Sequence, residues 1–176
     1  MGVEKDPLAV KFFIAVTYCK HRSFESIRDL LCTEYGEPDR LYGPVPFSWS
    51  DYYSDEMGED LLKYYAVYPF PFKREQLPEI KNFTNELEKK WALEGKRTIN
   101  LDPGYLARDK LVLASTKDFF HRLYLGRGIY GEVTLHYRRG VFRHFSWSYP
   151  DYKESEFQDF LSMARADLVY KLRKEA

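Results

Sequence analysis

Val10-Lys11-Phe12-Phe13-Ile14-Ala15-Val16-Thr17-Tyr18 decides the fold. Phe12, Ile14, Val16 and Tyr18 occupy one side of an extended chain, and Phe13, Ala15 and Thr17 the other. Successive side chains of a strand point to opposite faces, so a strand apolar on both suits the middle of a sheet covered on both sides. Downstream, Ser23 is a predicted N-cap for a helix with Phe24, Ile27, Leu30 and Leu31 on one face, stopped by Gly36 and Pro38. Pro38, Pro44 and Pro46 mark residues 37–50 as a segment ending in a short edge strand, Phe47-Ser48-Trp49-Ser50. The acidic segment with Tyr52 and Tyr53 reads as a loop or helical turn, and Leu61–Tyr68 as a strand with Leu62, Tyr64, Ala66 and Tyr68 on one side. A second helix from Pro78 places Ile80, Phe83, Leu87 and Trp91 at helical spacing, Gly95 ends it, and Arg97–Asp102 follows as a strand. This β-α-β-β-α-β order is the ferredoxin-like succession.

Beyond it, Val112, Leu113, Thr116, Phe119, Phe120, Leu123 and Tyr124 fit the apolar face of a third helix running from Asp109 to Leu125. Gly128–Tyr137 and Val141–Trp147 flank Arg138-Arg139-Gly140, which reads as a three-residue hairpin loop. In that register Tyr137 faces Val141 and Val133 faces Phe145 on the buried side; Glu132, Thr134, His136, Phe142 and His144 lie outside. A last helix opens at Ser155 with Gln158 in capping-box spacing and buries Phe157, Phe160, Leu161, Ala164, Leu168 and Leu172. The expected architecture is one α+β domain over residues 1–176. Its ferredoxin-like βαββαβ core is extended by a helix, a β-hairpin and a C-terminal helix.

Composition excludes several classes. Of 176 residues, 18% are aromatic and 31% charged, which is globular rather than disordered. Cys19 and Cys32 are too few for a disulfide framework, and no CxxC pair occurs. The apolar run Val10–Val16 is far shorter than the ~20 residues that span a bilayer and is followed by no small-residue cleavage site, so a cytoplasmic protein with no membrane contact is expected. The formal net charge is zero, yet residues 1–88 carry 16 acidic and 10 basic side chains, and residues 89–176 carry 11 and 17. That asymmetry suits an anionic ligand or an acidic partner, and is equally met by neutralisation within the fold or in a homodimer.

Three groups of residues carry candidate chemistry. Asn100-Leu101-Asp102-Pro103-Gly104-Tyr105 ends a strand in an Asp-Pro-Gly turn, with Asn100 and Asp102 on one side and Tyr105 presented by the turn. The bland alternative is an aspartate capping its own turn. On the third helix Lys117 and His121 would be i,i+4 neighbours, as would Asp118 and Arg122, on a face that is otherwise simply solvated. On the hairpin, Glu132 and His136 lie ~13 Å apart along one strand, too far to share a metal. No metal site and no cofactor is called for.

Missing motifs narrow the field. Gly95-Lys96 lacks the rest of a phosphate-binding P-loop, and no GxGxxG, GxSxG or HExxH occurs. Arg127-Gly128-Ile129-Tyr130-Gly131-Glu132 matches only the opening of the RNA-recognition signature, so RNA ranks third among partners. Asp51-Tyr52-Tyr53 with Glu56-Met57-Gly58, Phe83–Glu88, Asn100–Leu106, Lys110–Arg122 with Gly128-Ile129-Tyr130, and Trp147–Tyr152 form a set spread over nearly the whole chain. This set resembles the domain of unknown function 4416 family of bacterial and archaeal proteins. The resemblance brings no substrate, cofactor or mechanism. It implies that the polar motifs travel together, and hence that Asn100, Asp102, Tyr105, Lys117, His121, Arg122 and Glu132 converge.

Two functions follow as expectations. One is a pocket for a small anionic metabolite, phosphorylated or nucleotide-like, near the Asp-Pro-Gly turn. Lys117 and Arg122 would meet the anion, Asp102 and Glu132 would accept hydrogen bonds, Asn100 and Tyr105 would complete the pocket, and His121 would be the candidate acid or base. The other is a non-catalytic module that contacts a protein through exposed tyrosines and the proline-rich segment.

Overall fold

β1 (Lys11–Cys19) is buried along its entire length, with Phe12, Ile14, Val16 and Tyr18 in one apolar cluster and Phe13 and Ala15 in another. The structure is a computed structural model that describes residues 2–49 and 54–175. Two antiparallel neighbours flank β1: β3 (Leu61–Val67) and β4 (Ile99–Leu106). With β2 (Arg40–Phe47), β5 (Lys110–Ser115), β6 (Arg122–Gly126) and β7 (Ile129–Arg138) they form one sheet in the order β2-β3-β1-β4-β5-β7-β6; β8 (Val141–His144) also pairs β7. All the pairings are antiparallel. The fold is α+β.

Three long helices cover the sheet. α1 (Phe24–Tyr35) starts where Ser23 Oγ accepts from the Ser26 N–H at 3.2 Å. A single turn, α2 (Ser54–Met57), precedes β3, and α3 (Leu77–Lys90) precedes β4. Ile27 and Leu31 from α1 and Leu87 from α3 bury against Phe12, Ile14, Val16 and Tyr18. α4 (Ser155–Lys174) covers the other face, where Phe157, Phe160, Leu161 and Ala164 meet Phe13, Ala15, Tyr65 and Leu106. Among the described residues no helix is long and apolar enough to cross a membrane.

The third helix expected over 109–125 does not exist. Leu111, Val112, Leu113 and Ala114 are a continuous buried strand, and Arg122–Gly126 is an edge strand. Residues assigned to a buried helical stripe are therefore exposed: Phe120 is 92% and Leu123 75% accessible. A short apolar run satisfies both periods, and pairing on β4 and β7 decides in favour of the strand. Asp118 and Arg122 accordingly are not helical neighbours, and neither are Lys117 and His121.

The hairpin is also shifted. Arg139 and Gly140 both have positive φ (52° and 87°) and make a two-residue turn, with Arg138 opposite Val141 and Tyr137 opposite Phe142. This one-residue slip turns Phe142 to the core and Val141 to the surface; on β7 a register shift against β5 skips Thr134, and Glu132 and Thr134 are both buried. β2 begins at Arg40, earlier than the prolines suggested, and holds Pro44 at a register shift on the sheet edge. At α4 the N-cap is Glu154, and Gln158 Nε2 donates to the Tyr152 carbonyl instead of closing a capping box. Asp51, Tyr52 and Tyr53 lie outside the described residues.

Asp102-Pro103-Gly104 is no turn. It runs inside β4, with Asp102 opposite Ala15 and Pro103 opposite Ile14. Gly104 has no positive φ; its role is close approach, since a Cβ there would stand 2.2 Å from the Val112 carbonyl oxygen. Gly104→Ala should cost about 3 kcal/mol by urea denaturation, and a loss below about 1 kcal/mol would refute the close-approach role.

Candidate functional site

In an antiparallel strand the N–H and C=O of one residue point to the same side. On β4, Leu101 and Pro103 point theirs away from β1, towards β5. Proline has no N–H to donate, and the β4–β5 ladder begins only at Gly104, opposite Leu113. Below Gly104 the two strands diverge and leave the edge of β4 open. Side chains of α3 fill the vacant positions: Glu88 Oε1 accepts from the Leu101 N–H at 2.7 Å, and Lys81 Nζ donates to the Leu101 carbonyl at 2.7 Å. Lys81 Nζ also lies 3.4 Å from Asp102 Oδ1 and 3.9 Å from Glu88 Oε1.

The fork is a polar slot of about 140 Å³. Lys81, Asn85 and Glu88 line it from α3, Asn100 and Asp102 from β4, Ser115 from β5, Lys117 from the following turn, Arg122 from β6 and Glu132 from β7. Phe47, Lys63, Tyr149 and Tyr152 contribute from the α4 side of the sheet. α4 covers only the apolar part of that face; where Thr17, Lys63, Asn100, Asp102 and Glu132 replace it, the slot begins.

Hydrogen bonds fix the walls. Arg97 spans Glu56 (2.5 and 2.8 Å) and Asn100 Oδ1 (2.9 Å), and Asn100 Nδ2 donates to Asp102 Oδ2 at 2.7 Å. Across the slot, Arg122 Nε donates to Glu132 Oε2 at 2.8 Å, and its Nη1 reaches Ser115 Oγ (2.7 Å) and the Lys117 carbonyl (3.0 Å). Burial raises the Glu88 carboxyl above its ordinary value, with Lys81 opposing the shift. The hydrogen bonds from Arg97 hold Glu56 below its ordinary value. Burial also raises the Tyr149 hydroxyl, and the charge of Asp102 adds to it. Five cationic side chains (Lys63, Lys81, Arg97, Lys117 and Arg122) face three carboxylates (Glu88, Asp102 and Glu132) along the lining. Glu56 and Asp151, just outside the lining, pair with Arg97 and Lys63, so each wall of the slot is built from ion pairs.

Of the residues singled out in the sequence, Asn100, Asp102, Lys117, Arg122 and Glu132 line this slot. Tyr105 does not: it turns to the opposite side of β4, where Arg74 stacks at 5.3 Å and Leu77 and Val112 pack. His121 is not part of the lining either. Its Nε2 lies 3.0 Å from Glu132 Oε2 and its ring stacks on Trp147 at 4.8 Å, so it braces Glu132 from behind. Sequence reading missed Lys63, Lys81, Glu88, Arg97 and Tyr149. A signal was present on the second helix, where Lys81, Thr84 and Glu88 recur at helical spacing beside the apolar stripe.

A split antiparallel sheet with a polar slot at the split, bordered by the turn that precedes the C-terminal helix, defines the class of this protein. A sequence model described as Domain of unknown function (DUF4416) matches residues 8–168, and the chain belongs to that family. No curated protein and no solved structure matches it.

Two variants test the fork. Glu88→Leu leaves the Leu101 N–H unpaired and Lys81 short of a counter-charge, and should cost about 3 kcal/mol, whereas Glu88→Gln keeps an acceptor and should cost less than half of that; equal losses would exclude the side-chain ladder. For Glu56 the folded pKa is depressed, so its contribution is present above its ordinary 4.5 and disappears as pH falls through the lower folded value. Both partners are partly exposed, so Glu56→Gln should cost only about 0.5 kcal/mol at pH 7 and nothing at pH 2, read by denaturation at the two pH values.

Proposed function

We propose that the fork binds the anionic group of a small metabolite, phosphorylated or nucleotide-like. The observation that carries this reading is the convergence of five cationic side chains from β3, α3, the residues before β4, the β5–β6 turn and β6 on one slot. Lys117 and Arg122 meet the anion from the open side, a point charge and a planar fork suited to phosphoryl oxygens. Asp102 and Glu132 accept hydrogen bonds from hydroxyl or amino groups on the ligand, and Asn100 holds Asp102 in place. Tyr149, rather than Tyr105, closes the mouth. The reading extends to fold and location: β1–β4 with α1 and α3 form a ferredoxin-like unit, which the strand order β2-β3-β1-β4 supports, and the protein works in the cytoplasm.

A second reading, a protein-interaction module, is favoured by one observation. The edge strand β6 exposes Leu123 and Tyr124 at 75% and 63%, next to Phe120 at 92%. Self-association by light scattering, with no response to any anion, would select it over the first.

A thermal-shift screen against inorganic phosphate, sugar phosphates and nucleotides decides the matter. A ligand held at 100 times its Kd should stabilise the fold by about 2.7 kcal/mol. Lys117→Ala, an exposed side chain whose loss leaves the fold intact, should weaken that ligand at least about tenfold. No stabilisation by any phosphorylated compound would remove the proposal.

A further inference from the structure

A second hollow, of about 280 Å³, opens between the edge strand β2 and the segment leading into α4. It shares Lys63 and Phe47 with the fork but has the opposite charge balance: Asp151, Glu154 and Glu156 face a single cation, Lys63. Tyr42, Trp49 and Tyr65 supply aromatic walls.

Asp151 is the centre of this chemistry. Only 5% exposed, it accepts from Lys63 Nζ and from the Tyr65 hydroxyl, both at 2.6 Å and both through Oδ2. Its other oxygen, Oδ1, is buried and accepts from no donor. A buried carboxylate oxygen left without a donor forfeits its hydration and gets nothing back, so an N–H brought to it recovers that loss. Lys63 shows which kind of donor the surroundings accept. Its ammonium lies 4.7, 5.3 and 5.1 Å from the ring centres of Phe47, Tyr65 and Tyr152, held by aromatic faces and one oxygen of Asp151. The second oxygen offers the same carboxylate to a second ammonium. Glu154 and Glu156 are exposed and add attraction; they stand at the positive end of α4, which offsets part of their charge, whereas Asp151 precedes the helix.

We propose that this hollow binds the primary ammonium group of a ligand, which donates to Asp151 Oδ1 while its alkyl chain lies against Tyr42 and Trp49. The proposal does not rest on the anion slot, although Lys63 and Phe47 line both cavities. A quaternary ammonium ion has the charge but no N–H, so it meets the rings and leaves Oδ1 empty.

Butylammonium chloride titrated at constant ionic strength, with tryptophan emission and thermal midpoint as readouts, tests this assignment. Saturable binding is expected, with tetramethylammonium at least tenfold weaker and the emission change lost in Trp49→Phe. Asp151→Asn should weaken butylammonium at least tenfold. Glu154→Gln with Glu156→Gln, at exposed positions that leave folding intact, should weaken it severalfold, and this pair decides if Asp151→Asn does not fold. No saturation, equal affinity for the two ammonium ions, or unchanged affinity in the Glu154/Glu156 variant overturns the proposal. Phosphate titrated into the Glu154/Glu156 variant, whose changes lie outside the fork, reads the fork separately, so failure at one site is not mistaken for failure at the other.

Discussion

The molecule depends on how the open edge of β4 is satisfied. A strand edge inside a protein cannot leave its N–H and C=O groups bare, because each one lost to water without a partner costs about 1–3 kcal/mol. Here Glu88 and Lys81 take the place of a missing strand, holding the Leu101 backbone at 2.7 Å on both its donor and its acceptor. Pro103 removes the donor that would have extended the ladder, and Gly104 admits β5 where the ladder begins. The slot is thus a consequence of backbone accounting: the sheet separates where side chains can finish its hydrogen bonds.

Charge follows from the same arrangement. The side chains that complete the edge are themselves ionic, so each needs a counter-charge, and the chain of partners runs from Glu88 and Lys81 through Asp102 and Asn100 to Arg97 and Glu56. On the facing wall Arg122 and Glu132 form a second, separate pair, steadied by Ser115 and by His121 stacked on Trp147. Two rigid polar walls built of ion pairs make a cleft organised before any ligand arrives. Next to it, Asp151 accepts from Lys63 and Tyr65 through one oxygen, and its other oxygen is buried without a donor. The molecule thereby sets two cavities side by side, with Lys63 and Phe47 between them.

Much of this was legible in the chain. The two-faced apolar pattern of Val10–Tyr18 located the central strand, Ser23 and Pro78 marked two helix starts, and the apolar stripe of the last helix identified what α4 buries. Asn100, Asp102, Lys117, Arg122 and Glu132 stood out as polar groups beside apolar runs, and they line one slot. The segment 109–125 was misread because four buried residues fit either period, and only the neighbours β4 and β7 select the strand. A hairpin loop shorter by one residue then reversed the faces of β8.

By itself, then, the sequence determined the α+β class, the central strand, the three long helices and the kinds of charge available, because periodicity and capping act over a few residues and need no distant partner. Tertiary structure alone decided that β5 and β6 are strands, that Glu132 is buried, that Tyr105 turns away, and that Lys63, Lys81, Glu88 and Arg97 join the site. Those outcomes rest on which backbone edges find partners and which side chains complete them. Such pairings join residues far apart along the chain, and no local pattern records them.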